Sequence, residues 1–153
     1  ARTVQILSDT ASNEPTVGLI DDGCGMSEPE LVEALRPVCR NPVAQRDGND
    51  LGRFGLGLKS ASFSQCRRLT VISRKDGRLC GVAWDLDVVA KTARWDIEVL
   101  DRFNDLPWID RIPTGHGTLV LWQRLDRMTG GAVHDRSKRA ENLNHLLAGA
   151  ERH

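Results

Sequence analysis

Short runs of alternating hydrophobic and polar residues predict several β-strands along the chain. Residues 3–8 (TVQILS) and 16–21 (TVGLID) are two such runs, and the short turn-rich link between them predicts that they pair as antiparallel neighbours. Two further runs flank Asp76-Gly77, a dipeptide preferred in tight hairpin turns. Residues 93–101 (ARWDIEVLD) and 115–125 (GHGTLVLWQRL) are predicted as later strands, the second of them buried.

Helical signals occur in three other places. Ser27 and Glu30 have the S-x-x-E form of a capping box, and Pro29 is tolerated in a first helical turn. The glycines of GLGLKSASFSQ introduce a second helix, rich in small residues, and residues 135–150 predict a third. The predicted packing faces consist of Leu31, Ala34 and Leu35; of Leu58, Ala61, Ser62 and Phe63; and of Leu143, Leu146 and Leu147.

Residues 37–54 show no sustained periodicity and contain proline, asparagine, aspartate and glycine. A loop this long in a compact domain is usually functional or disordered. The predicted strands come in runs with tight connections and do not alternate strictly with helices. This order favours an α+β fold: a two-layer sandwich with a mixed, mostly antiparallel sheet and helices on one face. The length of 153 residues fits one domain.

Composition and charge narrow the class of protein without naming a function. The chain is 40% hydrophobic and 27% charged, and its 21 Lys and Arg residues balance 21 Asp and Glu residues. These are ordinary values for a globular protein, and the zero net charge gives no support for a nucleic-acid or anionic-membrane surface. No apolar run reaches the roughly 20 residues of a membrane span. The four cysteines lack C-x-x-C spacing, so reduced thiols are favoured over a zinc site.

The stretch DDGCGM places acidic residues and glycines where a predicted strand ends. A carboxylate only accepts hydrogen bonds, so Asp21 could accept a donor such as the exocyclic amine of adenine and reject a carbonyl. Gly23 and Gly25 leave room for a flat ring, and the polarizable side chain of Met26 is a suitable wall for it. Taken alone, however, DDG is typical of an ordinary Asp-Gly turn.

A second glycine-rich stretch, LGRFGLGLKS, precedes the second predicted helix. Free N–H groups at a helix start favour an anion such as phosphate, although the glycines alone could simply form a turn. The P-loop pattern fails because Lys59-Ser60 come one position late, which rotates the lysine by about 100 degrees around a helix. The dinucleotide pattern also fails, because Ser60 stands where its third glycine belongs.

Three glycine motifs in this order resemble those of the GHKL ATPase superfamily, which includes the gyrase B subunit, MutL proteins, histidine kinases and the ninety-kilodalton heat-shock chaperones. DDGCGMS resembles the second family motif, GRFGLGLKSAS the third and GHGTLVLW the fourth. The sequence GRFGLGLKS is most similar to that of the MORC branch and its bacterial relatives. The resemblance covers nearly the whole chain and implies a Bergerat-type ATP-binding fold.

The resemblance also implies roles for individual residues. Asp21 would accept the adenine amine, directly and through water, and Thr118 would hydrogen-bond near Asp21 or its bound water. Residues 37–54 would form the ATP lid. Gly55, Gly57 and the following amides would hold the phosphates, and Lys59 could contact them. The full set of expected ATP-binding residues is Asp21, Gly23, Gly25, Met26, Gly52, Gly55, Leu56, Gly57, Leu58, Lys59 and Thr118.

The first family motif is a helix that carries a water-activating Glu and a magnesium-binding Asn, and no counterpart to it occurs here. Asn13 and Glu14 lie in the turn between the first two strands, too close to Asp21 to serve. We therefore expect a fragment of a longer protein, with no catalytic residue or protein ligand for magnesium in this chain. Magnesium would be bound through the ATP phosphates, and the missing general base is typically worth about 10²–10⁴-fold in rate.

Two alternatives remain at this stage. One is a nucleotide-binding module that does not hydrolyse ATP, and the other is a histidine-kinase-type ATP-binding domain. An E-x-x-x-N helix upstream of Ala1 would favour an ATPase. The expected ligands are ATP and ADP, with a possible ATP-dependent homodimer, DNA or protein partners through other domains, no membrane association and a cytoplasmic location.

Overall fold

A computed structural model describes residues 1–12, 14–36, 57–125 and 141 of the chain. Six strands form one sheet in the order β1-β2-β6-β3-β4-β5, and the paired neighbours are antiparallel. The strands are β1 (Val4–Asp9), β2 (Thr16–Asp21), β3 (Arg68–Lys75), β4 (Arg78–Asp85), β5 (Glu98–Val99) and β6 (Gly117–Gln123). Within these described residues, the helices are α1 (Glu28–Leu35), α2 (Gly57–Phe63) and α3 (Leu86–Thr92), with a 3₁₀ turn at Ile109–Arg111.

The predicted α+β architecture is confirmed, and two hairpins account for most of it. β1 and β2 pair along their full length, as the short link between them predicts. β3 and β4 flank Asp76-Gly77, whose φ angles of 50° and 76° give the left-handed turn that suits a two-residue hairpin. β6, although last in sequence, pairs with β2 on one side and β3 on the other and so joins the two hairpins.

One face of the sheet packs against α1 and α2. Leu31 and Leu35 of α1 are fully buried against strand residues such as Val71. One residue of the predicted packing face of α1 was wrong. Ala34 is exposed, and Val32 packs against this core instead. Because an α-helix has 3.6 residues per turn, positions 31, 32 and 35 share one side of α1, and position 34 lies outside this apolar stripe. Likewise, Leu58 and Ala61 of α2 are exposed, whereas Ser62 is buried.

The opposite face of the sheet is covered by the irregular segment that precedes β6. Ile72, Leu119 and Leu121 form a second core on this face, completed by Ile112 and by the partly buried Trp108. The sequence pattern did not show this layer, because the covering residues have neither helical nor strand periodicity. Both faces of the central strands are therefore packed, which agrees with their nearly continuous apolar runs.

The region after β4 differs from prediction. The expected strand over residues 93–101 is reduced to the two residues of β5, and α3 was not predicted. Asp85 caps α3 by accepting a 2.9 Å hydrogen bond from the backbone N–H of Asp87. Arg124 pairs with both carboxylates. A hydrogen bond from Arg67 lowers the pKa of Asp87 below its ordinary value.

Two regions with sequence predictions lie outside the described residues. They are the predicted lid over residues 37–54 and, apart from residue 141, the predicted C-terminal helix over residues 135–150.

Candidate nucleotide site

Four side chains form a row across one end of the sheet, on the face that carries α1 and α2. Asp21 is the last residue of β2 and lies opposite Thr118 of β6. Thr118 in turn lies opposite Ser73 of β3, and Ser73 lies opposite Cys80 of β4. We call these four residues the polar row. Because side chains alternate between faces along a strand, the register places all four on the same face.

The turn that follows Asp21 approaches the sheet backbone very closely. The carboxylate of Asp21 accepts a 2.7 Å hydrogen bond from the N–H of Gly23. Gly25 is buried with φ 67°, and a β-carbon there would lie 1.9 Å from the carbonyl oxygen of Arg74. Such a contact is impossible, so the second glycine of D-x-G-x-G is required by close approach as well as by its left-handed conformation.

Both backbone polar groups of Met26 are held by side chains of the polar row. The N–H of Met26 donates to the hydroxyl of Ser73 at 2.8 Å, and the Cys80 thiol donates to the Met26 carbonyl with an S–O distance of 3.4 Å. Burial raises the pKa of the Cys80 thiol, so it stays protonated and remains a donor at neutral pH. These two contacts lock the turn onto the β3–β4 hairpin.

Ser73 and Cys80 were not predicted as site residues, although the sequence contains a signal for them. A two-residue hairpin turn at Asp76-Gly77 sets the register of its strands, which makes Ser73 and Cys80 cross-strand neighbours. The further step, that this pair lies beside Thr118, depends on β6 inserting next to β3. That pairing joins distant parts of the chain and is not encoded in any local pattern.

Asp22 has a different structural role from Asp21. Its carboxylate accepts hydrogen bonds from the backbone N–H groups of Arg2 at 2.6 Å and Thr3 at 3.0 Å. The hydrogen bonds from Thr3 and Arg2 lower the pKa of Asp22. Asp22 therefore anchors the segment before β1. Asp21, by contrast, has a carboxylate oxygen that accepts no hydrogen bond from any part of the chain that the structure describes.

The start of α1 is tied to the same hairpin. The carboxylate of Glu30 accepts hydrogen bonds from Ser27 within the predicted capping box, and the ammonium of Lys75 donates to both of its oxygens at 2.7 Å. Lys75, followed by Ser27, lowers the pKa of Glu30 to about 2. An open groove of about 620 Å³ lies between α1 and the hairpin, but Asp21 and Thr118 do not line it. We therefore do not take it as the adenine pocket.

The predicted phosphate segment is described only from Gly57 onward, where α2 begins. Leu58 is exposed. Lys59 is 5% exposed, and its ammonium donates to the carbonyl of Arg36 at the end of α1 with an N–O distance of 2.5 Å. This bond uses one of the three N–H donors of the ammonium, and the phosphate contact of Lys59 stays a prediction. Three of the predicted ATP-binding residues, Gly52, Gly55 and Leu56, lie outside the described residues.

Comparison with known proteins decides the family. Residues 1–118 match the model of the family described as histidine kinase-, DNA gyrase B- and HSP90-like ATPases. The chain belongs to this family. The matched region contains all four residues of the polar row, including the paired Asp21 and Thr118. The expected resemblance to GHKL ATPases is thereby confirmed.

Individual members of this ATPase family align with shorter parts of the chain. Chaperone protein HtpG of Paramagnetospirillum magneticum is 34% identical over 47% of the chain, and HtpG of Pseudoalteromonas translucida is 26% identical over 67% of it. The ATPase morc-1 of Caenorhabditis elegans is 34% identical over 50% of the chain. The matched segments span 13%, 17% and 9% of these relatives, respectively. The MORC-like kinship expected from the third motif is therefore supported.

The residues of this ATPase-family chain that the structure describes suit an adenine nucleotide. One carboxylate oxygen of Asp21 has no donor within the described ranges and can accept from an amine, and Gly25 lets the turn approach the backbone of β3. No helix within the described ranges is long and apolar enough to cross a membrane. The same ranges contain no cluster of three or more His, Cys, Asp or Glu side chains arranged to bind a metal ion.

Proposed function

We propose that this chain is the ATP-binding domain of a MORC-like ATPase, in which nucleotide binding closes a lid and drives a conformational or dimerization switch. The observation that carries the proposal is the pairing of Asp21 with Thr118, next to a turn that only glycine can form at position 25. An acceptor on Asp21 and a hydroxyl on Thr118, side by side on two paired strands, suit the amine and ring nitrogen of adenine.

The chemistry of Asp21 supports adenine over other bases. One carboxylate oxygen is occupied by the N–H of Gly23 and so holds the side chain in place. The other oxygen has no donor among the residues that the structure describes, so it can accept the exocyclic amine. A carboxylate cannot donate, so guanine would present a carbonyl to a group that has no proton for it. Recognition of this kind discriminates well, because the wrong partner leaves a polar group unpaired.

The proposed phosphate side of the site rests on the family resemblance. Gly52, Gly55, Leu56 and Gly57 would approach the phosphates through their backbone, and residues 37–54 would close over them. Magnesium would be held through the phosphates, with its protein ligand and the general base expected in a helix upstream of Ala1. In the proposed switch, ATP shifts the population of two conformations, and the shift can be no larger than its differential affinity for them.

The cellular setting belongs to the proposal as well. We propose a cytoplasmic protein whose nucleotide-dependent switch acts on a DNA or protein partner through other parts of the full-length molecule. Its relatives, the chaperone protein HtpG and the ATPase morc-1, support a role in which ATP binding is coupled to work on another macromolecule.

Titration of the full-length protein with ATP and ADP tests this function. Asp21→Asn keeps the oxygen that binds Gly23 but replaces the free acceptor with a donor. Its affinity for ATP should fall about 10- to 100-fold, as expected for loss of a hydrogen bond to a charged group.

Asp22→Asn is the matched control, because its carboxylate contacts the backbone of Arg2 and Thr3 and points to no predicted ligand. It should bind ATP as the wild type does. Equal affinity of the wild type and Asp21→Asn would refute the assignment of Asp21. Failure of the wild type to bind any adenine nucleotide would refute the function.

A further inference from the structure

We propose that Ser73 is a positioning residue for adenine recognition, which directs the hydroxyl proton of Thr118 toward the nucleobase. This inference rests on the proposed function and deepens it. It assigns a role to a strand that carries none of the three glycine motifs.

Ser73 is completely buried and stands at the centre of the polar row. Its hydroxyl oxygen lies 2.8 Å from the N–H of Met26, 3.0 Å from the hydroxyl oxygen of Thr118 and 3.2 Å from the carbonyl oxygen of Gly117. One side chain on β3 thus touches the turn after β2 and the start of β6. These two segments carry the predicted adenine contacts.

Counting the hydroxyl protons leaves two possible arrangements. A serine hydroxyl has one proton and two lone pairs. One lone pair of Ser73 is taken by Met26, so the proton goes either to Gly117 or to Thr118. If it goes to Gly117, the proton of Thr118 must point at Ser73, and Thr118 can only accept at the nucleobase.

In the opposite arrangement, Thr118 keeps a hydroxyl proton that it can donate to the nucleobase. If Ser73 donates to Thr118, which is the shorter of its two possible donations, the proton of Thr118 is free to point away from β3. Asp21 lies opposite Thr118 on β2, and its negative charge favours a proton on that side. Thr118 then offers a donor beside the acceptor of Asp21.

A donor beside an acceptor matches the edge of adenine. The exocyclic amine of adenine donates, and its neighbouring ring nitrogen N1 accepts, directly or through one water. Guanine carries the reverse pair at the same positions, a carbonyl and a ring N–H. Ser73 would therefore contribute to base selectivity without touching the base, by keeping the hydroxyl of Thr118 oriented as a donor.

The test compares ATP with 1-deaza-ATP, in which a C–H group replaces the N1 nitrogen, in titrations of the full-length protein. The wild type should bind ATP more tightly than 1-deaza-ATP. Ser73→Ala should reduce this preference about three- to tenfold, because the Thr118 hydroxyl is no longer held in one orientation. Ser73→Thr, which keeps the hydroxyl, should restore the preference.

Thr70→Ala is the matched control. Thr70 is also a completely buried hydroxyl residue on β3, but it faces the opposite side of the sheet and contacts Gln123 at 3.0 Å. It should leave the preference for ATP over 1-deaza-ATP unchanged. If Ser73→Ala does not fold, Ser73→Cys provides a weak hydrogen-bonding group of similar shape and should also lower the preference.

The outcomes separate the inference from the function on which it rests. If the wild type binds ATP but Ser73→Ala or Ser73→Cys keeps or increases the preference for ATP, Ser73 does not orient Thr118, and the inference fails alone. If the wild type binds neither nucleotide, the proposed function fails, and this inference fails with it.

Discussion

Gly18 of β2 and Trp108 are packed so closely that a β-carbon on Gly18 would lie 2.6 Å from atom Cε3 of the indole ring. Trp108 belongs to the irregular segment that covers the second face of the sheet. Its backbone has a φ of 60°, a conformation that costs an L-residue about 1–2 kcal/mol. The indole ring therefore fits against β2 only because residue 18 has no side chain.

Gly18→Ala should lower the free energy of unfolding by about 1–3 kcal/mol, the usual range for overpacking a tight interior. Urea unfolding followed by tryptophan fluorescence would measure it. Gly115→Ala is the control, because a β-carbon at this exposed glycine would meet no atom within 4 Å. It should change stability by less than about 0.5 kcal/mol. Equal effects of the two substitutions would contradict the packing described for Trp108.

Gly25→Ala tests the close approach of the adenine-site turn to β3. Its β-carbon would overlap the Arg74 carbonyl, so the turn must move and ATP binding should be lost. Gly77→Ala has a similar conformational penalty, with φ 76°, but meets nothing within 4 Å. It should lower stability by about 1–2 kcal/mol and retain ATP binding. Nucleotide titration and thermal melting of both variants would distinguish a steric requirement at Gly25 from a purely conformational one.

The end of α3 offers a substitution that should stabilise the protein. Ala93 follows the helix in a left-handed conformation, with φ 53°, and its N–H donates to the carbonyl of Val89. Glycine is preferred at such a position, so Ala93→Gly should raise the free energy of unfolding by about 0.5–1 kcal/mol. Ala90→Gly, at an exposed position inside the same helix, should lower it by a similar amount. If both substitutions shift the melting temperature in the same direction, the left-handed helix end described for Ala93 is contradicted.

The stability of the α1 start should depend on pH through Glu30. Its pKa of about 2 in the folded protein lies below its ordinary value of 4.5. A depressed pKa stabilises the fold above about pH 4.5, and this contribution is lost as the pH falls toward 2. The melting temperature of Glu30→Gln should therefore lie below that of the wild type at pH 7, and the difference should shrink at pH 3.

Glu33→Gln provides a control on the same helix, because Glu33 pairs with Arg36 at the exposed surface. Its melting temperature should stay near that of the wild type at pH 7. A constant difference between Glu30→Gln and the wild type from pH 7 to pH 3 would show that the ion pair with Lys75 does not form.

The strands and the capping box could be predicted because their determinants are local. Alternation sets the two hairpins, Asp76-Gly77 sets one register, and Ser27 with Glu30 starts α1. The role of Asp22 as a partner of the backbone near Ala1 was not visible, since it depends on where the chain lies before β1. Ser73 was missed for the same reason, because its neighbours on β6 and in the Met26 turn are distant in sequence.

The two largest errors in the predicted secondary structure also have physical causes. Residues 93–101 contain strand-forming residues, but just two of them find a partner along β4. α3 is seven residues long and has no fully buried side chain, so its sequence lacks the apolar stripe by which helices are recognised. Its start is set by the Asp85 cap and the ion pairs with Arg124, which connect it to a strand far along the chain.

The position of β6 bears on the order in which this protein assembles during synthesis. Each of the two hairpins can form from residues that are close in sequence, but the strand that joins them is made last among the six. Until Gly117–Gln123 has emerged from the ribosome, Asp21 has no Thr118 opposite it, and Ser73 lacks two of its three partners. A partly synthesised chain therefore presents two separate hairpins and an incomplete polar row. Nucleotide binding is thus expected to begin late, as a property of the closed sheet.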